Sequence, residues 1–175
     1  MNIKKIVLPG MNEKPKKFHN CKIFYFKEMP LIEFRPPAVS KDDVRLKNVR
    51  EHFSHVFKYW KESWGDDIFE SIKSKGQINP CIGMFANNIW KVEPGQSRWF
   101  AMWDLGIKTF KIVVLVRDID DFSYYKKFNS REILKDEELK ELFLDDKPHT
   151  GYNIINTRFK NITGKFFDGG KYLTI

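Results

Sequence analysis

Residues 92–106 read VEPGQSRWFAMWDLG, a strand end, a Pro94-Gly95 turn and a helix closed by Gly106, and the apolar run Phe110–Val116 follows almost at once. No other stretch constrains the fold as much. Proline next to glycine ends a strand and turns the chain, glycine just past the last turn ends a helix, and a strand reading FKIVVLV is apolar enough to be central in a sheet. The spacing predicts a helix over Ser97–Leu105. Its N-terminus leaves several N–H groups without intrahelical partners and carries about half a unit of positive partial charge. Gly95 lacks a Cβ and permits close approach, while the Gln96 amide, the Ser97 hydroxyl and the Arg98 guanidinium add donors. Gly95, Gln96, Ser97 and Arg98 are therefore the candidate phosphate-binding residues. Arginine in the first turn of a helix opposes the dipole, which a bound anion would explain.

The segments around this unit alternate in character. Asp67 and Glu70 suit a capping box ahead of a helix whose apolar face is Ile68, Phe69 and Ile72, with Gly76 at its end. Strands are predicted over Ile78–Phe85 and Ile89–Glu93, joined by Ala86-Asn87-Asn88. Upstream, Lys22–Phe26 and Leu31–Phe34 read as β-rich runs stopped by Pro36 and Pro37, which leaves Arg35 at a strand end. Ser40–Trp64 reads as mostly helical, with Ser40 as N-cap and Val49, Phe53, Val56, Phe57 and Trp60 at helical spacing. Downstream, Asp118–Phe128 and Ser130–Leu144 are predicted helices, the second with Ser130 as its N-cap.

At 175 residues the chain fits one domain with a sizeable core. Sixteen Phe, five Trp and six Tyr supply the apolar area, so abundant lysine does not signify disorder. The net charge of +8 favours acidic partners, yet the lysines crowd the first 27 residues, where they read as a solvated tail or as a DNA-contacting arm. Cys21 and Cys81 form no CxxC, and His52 with His55 lacks a third ligand, so no metal site is expected. The first 17 residues lack the apolar core expected of a signal peptide and no run is apolar enough to span a bilayer, so a cytoplasmic protein with no membrane partner is expected. The expected organisation is a basic arm over 1–20, a domain over 21–146 with a helical insertion at 40–64, and a tail over 147–175 packed on the domain.

The order SIKSKGQINP, hairpin, PGQSRWFA, WDLGIKTFKIVV over residues 68–116, with LIEFRPP ahead of it, resembles the ParB/sulfiredoxin-like superfamily, in particular its small stand-alone members of phages and mobile elements. The resemblance implies an α+β fold, a small mixed sheet with flanking helices. It implies a nucleotide bound through its phosphates at the GxxR turn, here Gly95 to Arg98, with Arg35 approaching from a neighbouring strand end. Where sulfiredoxins place a nucleophilic cysteine after the glycine, this chain has Gln96, so sulfinic acid reduction is not expected. Where ParB proteins carry GERR it keeps only the last arginine, followed by a faint FNSRE with Asn129 and Arg131 in place of ENxxR. Resemblance to the free-serine kinases makes Glu33 a candidate catalytic carboxylate beside Arg98.

Three functions are consistent with these residues. The first is a nucleotide-binding protein, as a phosphoryl-transfer or nucleotide-hydrolysing enzyme using magnesium with ATP or CTP, with Glu33 and Arg98 catalytic and Arg35, Gly95, Gln96, Ser97 and Arg98 on the phosphates. The second is a DNA-binding or nuclease-like accessory protein using the basic arm, the aromatics Trp64, Trp90 or Trp99, and Glu93 or Asp104 for cleavage. The third is a non-enzymatic interaction module with the 40–64 insertion as its contact surface. A homodimer is compatible with each.

Overall fold

The computed structural model describes residues 21–143 except 38, 87–88, 93–94 and 118–119, together with the strands 5–6, 16–17, 165–168 and 171–174. It is an α+β protein built on a five-stranded mixed sheet with flanking helices, the class expected. Strands β1 (Lys5–Ile6) and β2 (Lys16–Lys17) pair only with each other. The main sheet begins with β3 (Cys21–Pro30), followed by β4 (Cys81–Ala86), β5 (Ile89–Val92), β6 (Thr109–Arg117) and β7 (Ser130–Ile133), in the order β5-β4-β6-β3-β7. Only β4 and β6 are parallel. A parallel pair needs a crossover, and helix α4 (Gln96–Asp104) lies within it. The last pair is β8 (Lys165–Asp168) with β9 (Lys171–Thr174). The rest of the predicted arm and tail lies outside the described residues.

Register explains why β6 is the most apolar strand. It has neighbours on both sides, and Ile112, Val113, Val114, Leu115 and Val116 are all buried. Cys81, Ile112 and Phe26 share one face, continued by Gly83, Val114 and Phe24. The helices pack there: α1 (Val49–His52), α2 (Ser54–Trp64), α3 (Ile68–Lys75) and α4 contribute Val49, Phe53, Ile68, Phe69, Ile72 and Phe100 to one core. The opposite face holds Ile23, Leu115 and Met84, also buried.

Several predicted boundaries shift. The first β-rich run lengthens into one strand, Cys21–Pro30, with a register shift between Phe26 and Met29, whereas the second is no strand, since Leu31–Glu33 is a 3₁₀ turn. The cause is that β3 pairs with β6 through Pro30↔Thr109, and Leu31 N–H then donates to the Lys108 carbonyl. The 40–64 segment begins as a 3₁₀ turn at Val44–Lys47, capped by Asp43 rather than Ser40, and breaks again at Phe53 before α2. His52 and His55 therefore stand on different helices and are both exposed. The apolar stripe is core, as Val49 and Phe53 are buried and Val56, Phe57 and Trp60 pack against them.

Ser130 opens an edge strand instead of capping a helix, and Asp118–Phe128 shortens to α5 (Ser123–Lys126). Tertiary pairing overrides local propensity here: Ile133 faces Ile23 and is buried, while Asn129 takes a positive φ of 55° that ends the preceding turn. Helix α6 (Asp136–Lys140) starts from a capping box in which the Glu138 carboxylate accepts from the Lys135 N–H.

Gly83 is set by packing. A Cβ there would lie 2.5 Å from Phe34 Cε1 and 3.0 Å from Ile112 Cδ1. Gly83→Ala is expected to lower stability by about 1–3 kcal/mol through overpacking, measured by urea unfolding. Phe34→Leu in the same background should recover part of the loss, and full additivity of the two changes would disprove the clash.

Candidate functional site

The predicted phosphate turn is present as a helix start. Gly95 caps α4 with φ 112°, a value that favours glycine, and its carbonyl accepts from the Trp99 N–H at 2.9 Å. A Cβ at Gly95 would lie 2.7 Å from Cys81 Sγ and 3.1 Å from an Arg98 terminal nitrogen. The glycine thus seats the helix start on β4, a packing reason for it that sequence reasoning did not supply. Having no side chain, Gly95 caps none of the first-turn N–H groups. Gln96, Ser97 and Arg98 are each partly buried in that turn.

Arg98 reaches away from its own helix and donates to the Asn79 carbonyl at 2.5 Å. Its Nε is buried and has no hydrogen-bond partner among the described residues. A buried guanidinium N–H without an acceptor is unfavourable by about 1–3 kcal/mol or more, so this arginine is one acceptor short. Burial pushes the neighbouring Cys81 thiol up, opposed by the Arg98 charge, and the Sγ–H donates to the Gly95 carbonyl at 3.6 Å. Cys81 is thereby kept as a neutral packing group.

The segment facing Arg98 is the Gly76–Pro80 loop, and Gln77 fixes it. Its Oε1 accepts from Lys111 N–H at 2.7 Å, its Nε2 donates to the Lys111 carbonyl at 2.8 Å, and Lys111 Nζ donates back to the Gln77 carbonyl at 2.8 Å. The β4–β6 ladder starts only at Cys81↔Ile112, so the side-chain amide stands in for a strand one residue further along. This residue was missed from the sequence. A glutamine directly after a helix-ending glycine carries no signal of a long-range backbone clamp.

Arg98 also lines an open pocket of about 300 Å³, together with Trp60, Trp64, Asp66, Lys75 and Asn79. Ile68, Ser71, Ile72 and Lys75 form its α3 wall at i, i+3, i+4 and i+7, a single helical stripe. The 40–64 segment, through Trp60 and Trp64, and the first turn of α4, through Arg98, are far apart in sequence and meet in this pocket.

Glu33 and Arg35 have other neighbours. Glu33, in the 3₁₀ turn rather than a strand, accepts from the Tyr124 hydroxyl at 3.1 Å. Arg35 donates to the Ile32 carbonyl, and burial lowers its pKa against the opposing pull of Tyr125, Glu33 and Asp42. The 31–34 turn is joined to α4 by Trp99, whose indole N–H donates to the Leu31 and Phe34 carbonyls at 3.2 and 2.9 Å. Trp99 is fully buried, which corrects its expected role as an exposed nucleic-acid contact. Asp104 forms an ion pair with Arg50 at 2.8 Å. Trp90 lies on β5 opposite Phe85, and Glu93 lies outside the described residues. No group of three or more His, Cys, Asp or Glu side chains among the described residues could hold a metal, and none of the described helices is long and apolar enough to cross a membrane.

No protein-family model matches the chain, and no curated protein matches it. Among solved structures it is similar to sulfiredoxin from Arabidopsis thaliana, with 21% sequence identity and a TM-score of 0.32 over 50% of this chain and 80% of that one.

Gln77→Ala is expected to leave the Lys111 N–H and carbonyl unpaired, lowering stability by about 1–3 kcal/mol. Hydrogen exchange at Lys111 should accelerate well beyond that of Val113 and Val114. Equal acceleration at all three positions would argue against a local clamp.

Proposed function

We propose that this chain is a ParB-like nucleotide-binding protein that holds its ligand's phosphates at the Gly95–Arg98 turn. The observation that carries this reading is Arg98, a partly buried guanidinium on the first turn of a glycine-capped helix, with its Nε lacking an acceptor and its side chain lining a pocket. The first-turn N–H groups and the positive end of the helix dipole would attract one anion, with Arg98 as a neighbouring cation on the same turn. Gln96 and Ser97 supply further donors from the same turn.

Magnesium belongs to this reading as a companion of ATP or CTP phosphates, an arrangement that needs only one or two protein carboxylates. Phosphoryl transfer or hydrolysis would then rest on positioning and charge neutralisation, with Arg98 on the transferred phosphate and with Glu33 and Arg35, whose segment Trp99 ties to α4, as the catalytic carboxylate and second cation once released from Tyr124 and the Ile32 carbonyl. The neutral, buried Cys81 supports a reading without a cysteine nucleophile.

Calorimetric titration with ATP, CTP, GTP and ADP in the presence of magnesium tests the proposal. At least one is expected to bind in the micromolar to sub-millimolar range, with Arg98→Ala weakening it by about 10-fold or more, the size of a lost charged hydrogen bond. Absence of binding at millimolar nucleotide, or an Arg98→Ala variant that binds as well as the unmodified chain, would overturn it.

A further inference from the structure

We infer that the pocket between α2, α3 and Arg98 is a nucleobase subsite, which takes the planar base of a nucleotide whose phosphate is held at the Arg98 end. This rests on the phosphate reading above and adds what the rest of the ligand is. Trp60 and Trp64 line the pocket from α2, one helical turn apart, with ring centroids 5.7 Å apart and planes tilted by 38°. The Trp60 indole N–H donates to Asp66 Oδ1 at 3.0 Å, which fixes that ring's orientation. Tryptophan faces at a pocket edge are stacking platforms for flat rings, whichever base they carry.

The charges give the pocket a direction. Asp66 stands just ahead of α3, and Lys75 is at that helix's far end, about 10 Å along its axis at 1.5 Å per residue. Arg98 and the Gly76–Asn79 loop close the same end as Lys75. A carboxylate repels phosphate but accepts from ring N–H and exocyclic amino groups. The base therefore lies toward Trp60, Trp64 and Asp66, and the phosphate toward Lys75 and Arg98. A volume of about 300 Å³ is at the small end of ligand pockets and suits one base and its sugar better than an oligonucleotide. Exposed Ile78 completes an apolar wall beside the cations.

The test compares nucleoside 5′-monophosphates with ribose 5-phosphate, which keeps the sugar and phosphate and lacks the base. Calorimetry and tryptophan fluorescence are recorded on the full chain, with inorganic pyrophosphate as the phosphate-only probe. At least one mononucleotide is expected to bind about 10-fold or more tighter than ribose 5-phosphate, the scale of one base–aromatic stack. Trp64→Ala should erase that advantage while leaving pyrophosphate binding unchanged. Asp66→Asn, which keeps an acceptor for Trp60, should reduce the preference among bases without affecting pyrophosphate, and circular dichroism confirms folding of each variant. Equal affinity for mononucleotide and ribose 5-phosphate, or a Trp64→Ala variant that keeps the advantage, overturns the base subsite and leaves the phosphate turn standing. Absence of binding by pyrophosphate and every mononucleotide overturns both.

Discussion

The seating of Gly95 against Cys81 is the constraint on which the rest of this arrangement depends. With a Cβ only 2.7 Å from the sulfur, any side chain there would lift α4 off β4. The positive φ of 112° at the same residue turns the chain into the helix at that point. Both requirements are met by one residue type. Everything that follows in α4, from Arg98 aimed at Asn79 to Trp99 under the 31–34 turn, inherits its position from this contact.

Trp99 and Gln77 then tie the ends of the sheet to the helices with side-chain donors and acceptors in place of ladder bonds. Trp99 satisfies two carbonyls of a turn that leaves β3, and Gln77 satisfies both backbone groups of Lys111 before β4 begins. Each removes backbone groups that would otherwise be partly buried without partners. The same bonds bring the Gly76–Pro80 loop under Arg98, so fold stability and pocket shape share residues. Substitutions that loosen one are expected to blur the other.

The 40–64 segment has two roles in this setting. Its apolar stripe seals the helical core through Val49 and Phe53, while Phe53 stacks on Phe100 at 3.9 Å. Its last turn presents Trp60 and Trp64 beside Arg98. One segment thus serves as packing at its start and as a pocket wall at its end. The helical period explains this, since Phe57, Trp60 and Trp64 lie three and four apart along α2, on one stripe that starts in the core and ends in the pocket wall.

By itself the sequence determined the elements whose signals are local. The helix stops at Gly76 and Gly106, the Asp67 cap, the glycine-led start of α4 and the central β6 strand follow from the φ freedom of glycine, from side-chain capping and from an unbroken apolar run. Gly95 and Arg98 were legible as neighbours because they lie within one helical turn. Only the tertiary structure decided that Leu31–Glu33 is a turn and Ser130–Ile133 a strand, because pairing with β6 and β3 outweighs the weak preferences of short segments. It alone disclosed the Gln77 clamp, the burial of Trp99 and the meeting of Trp60, Trp64, Asp66 and Lys75 with Arg98. Those depend on contacts between residues tens of positions apart, for which composition and spacing leave no trace.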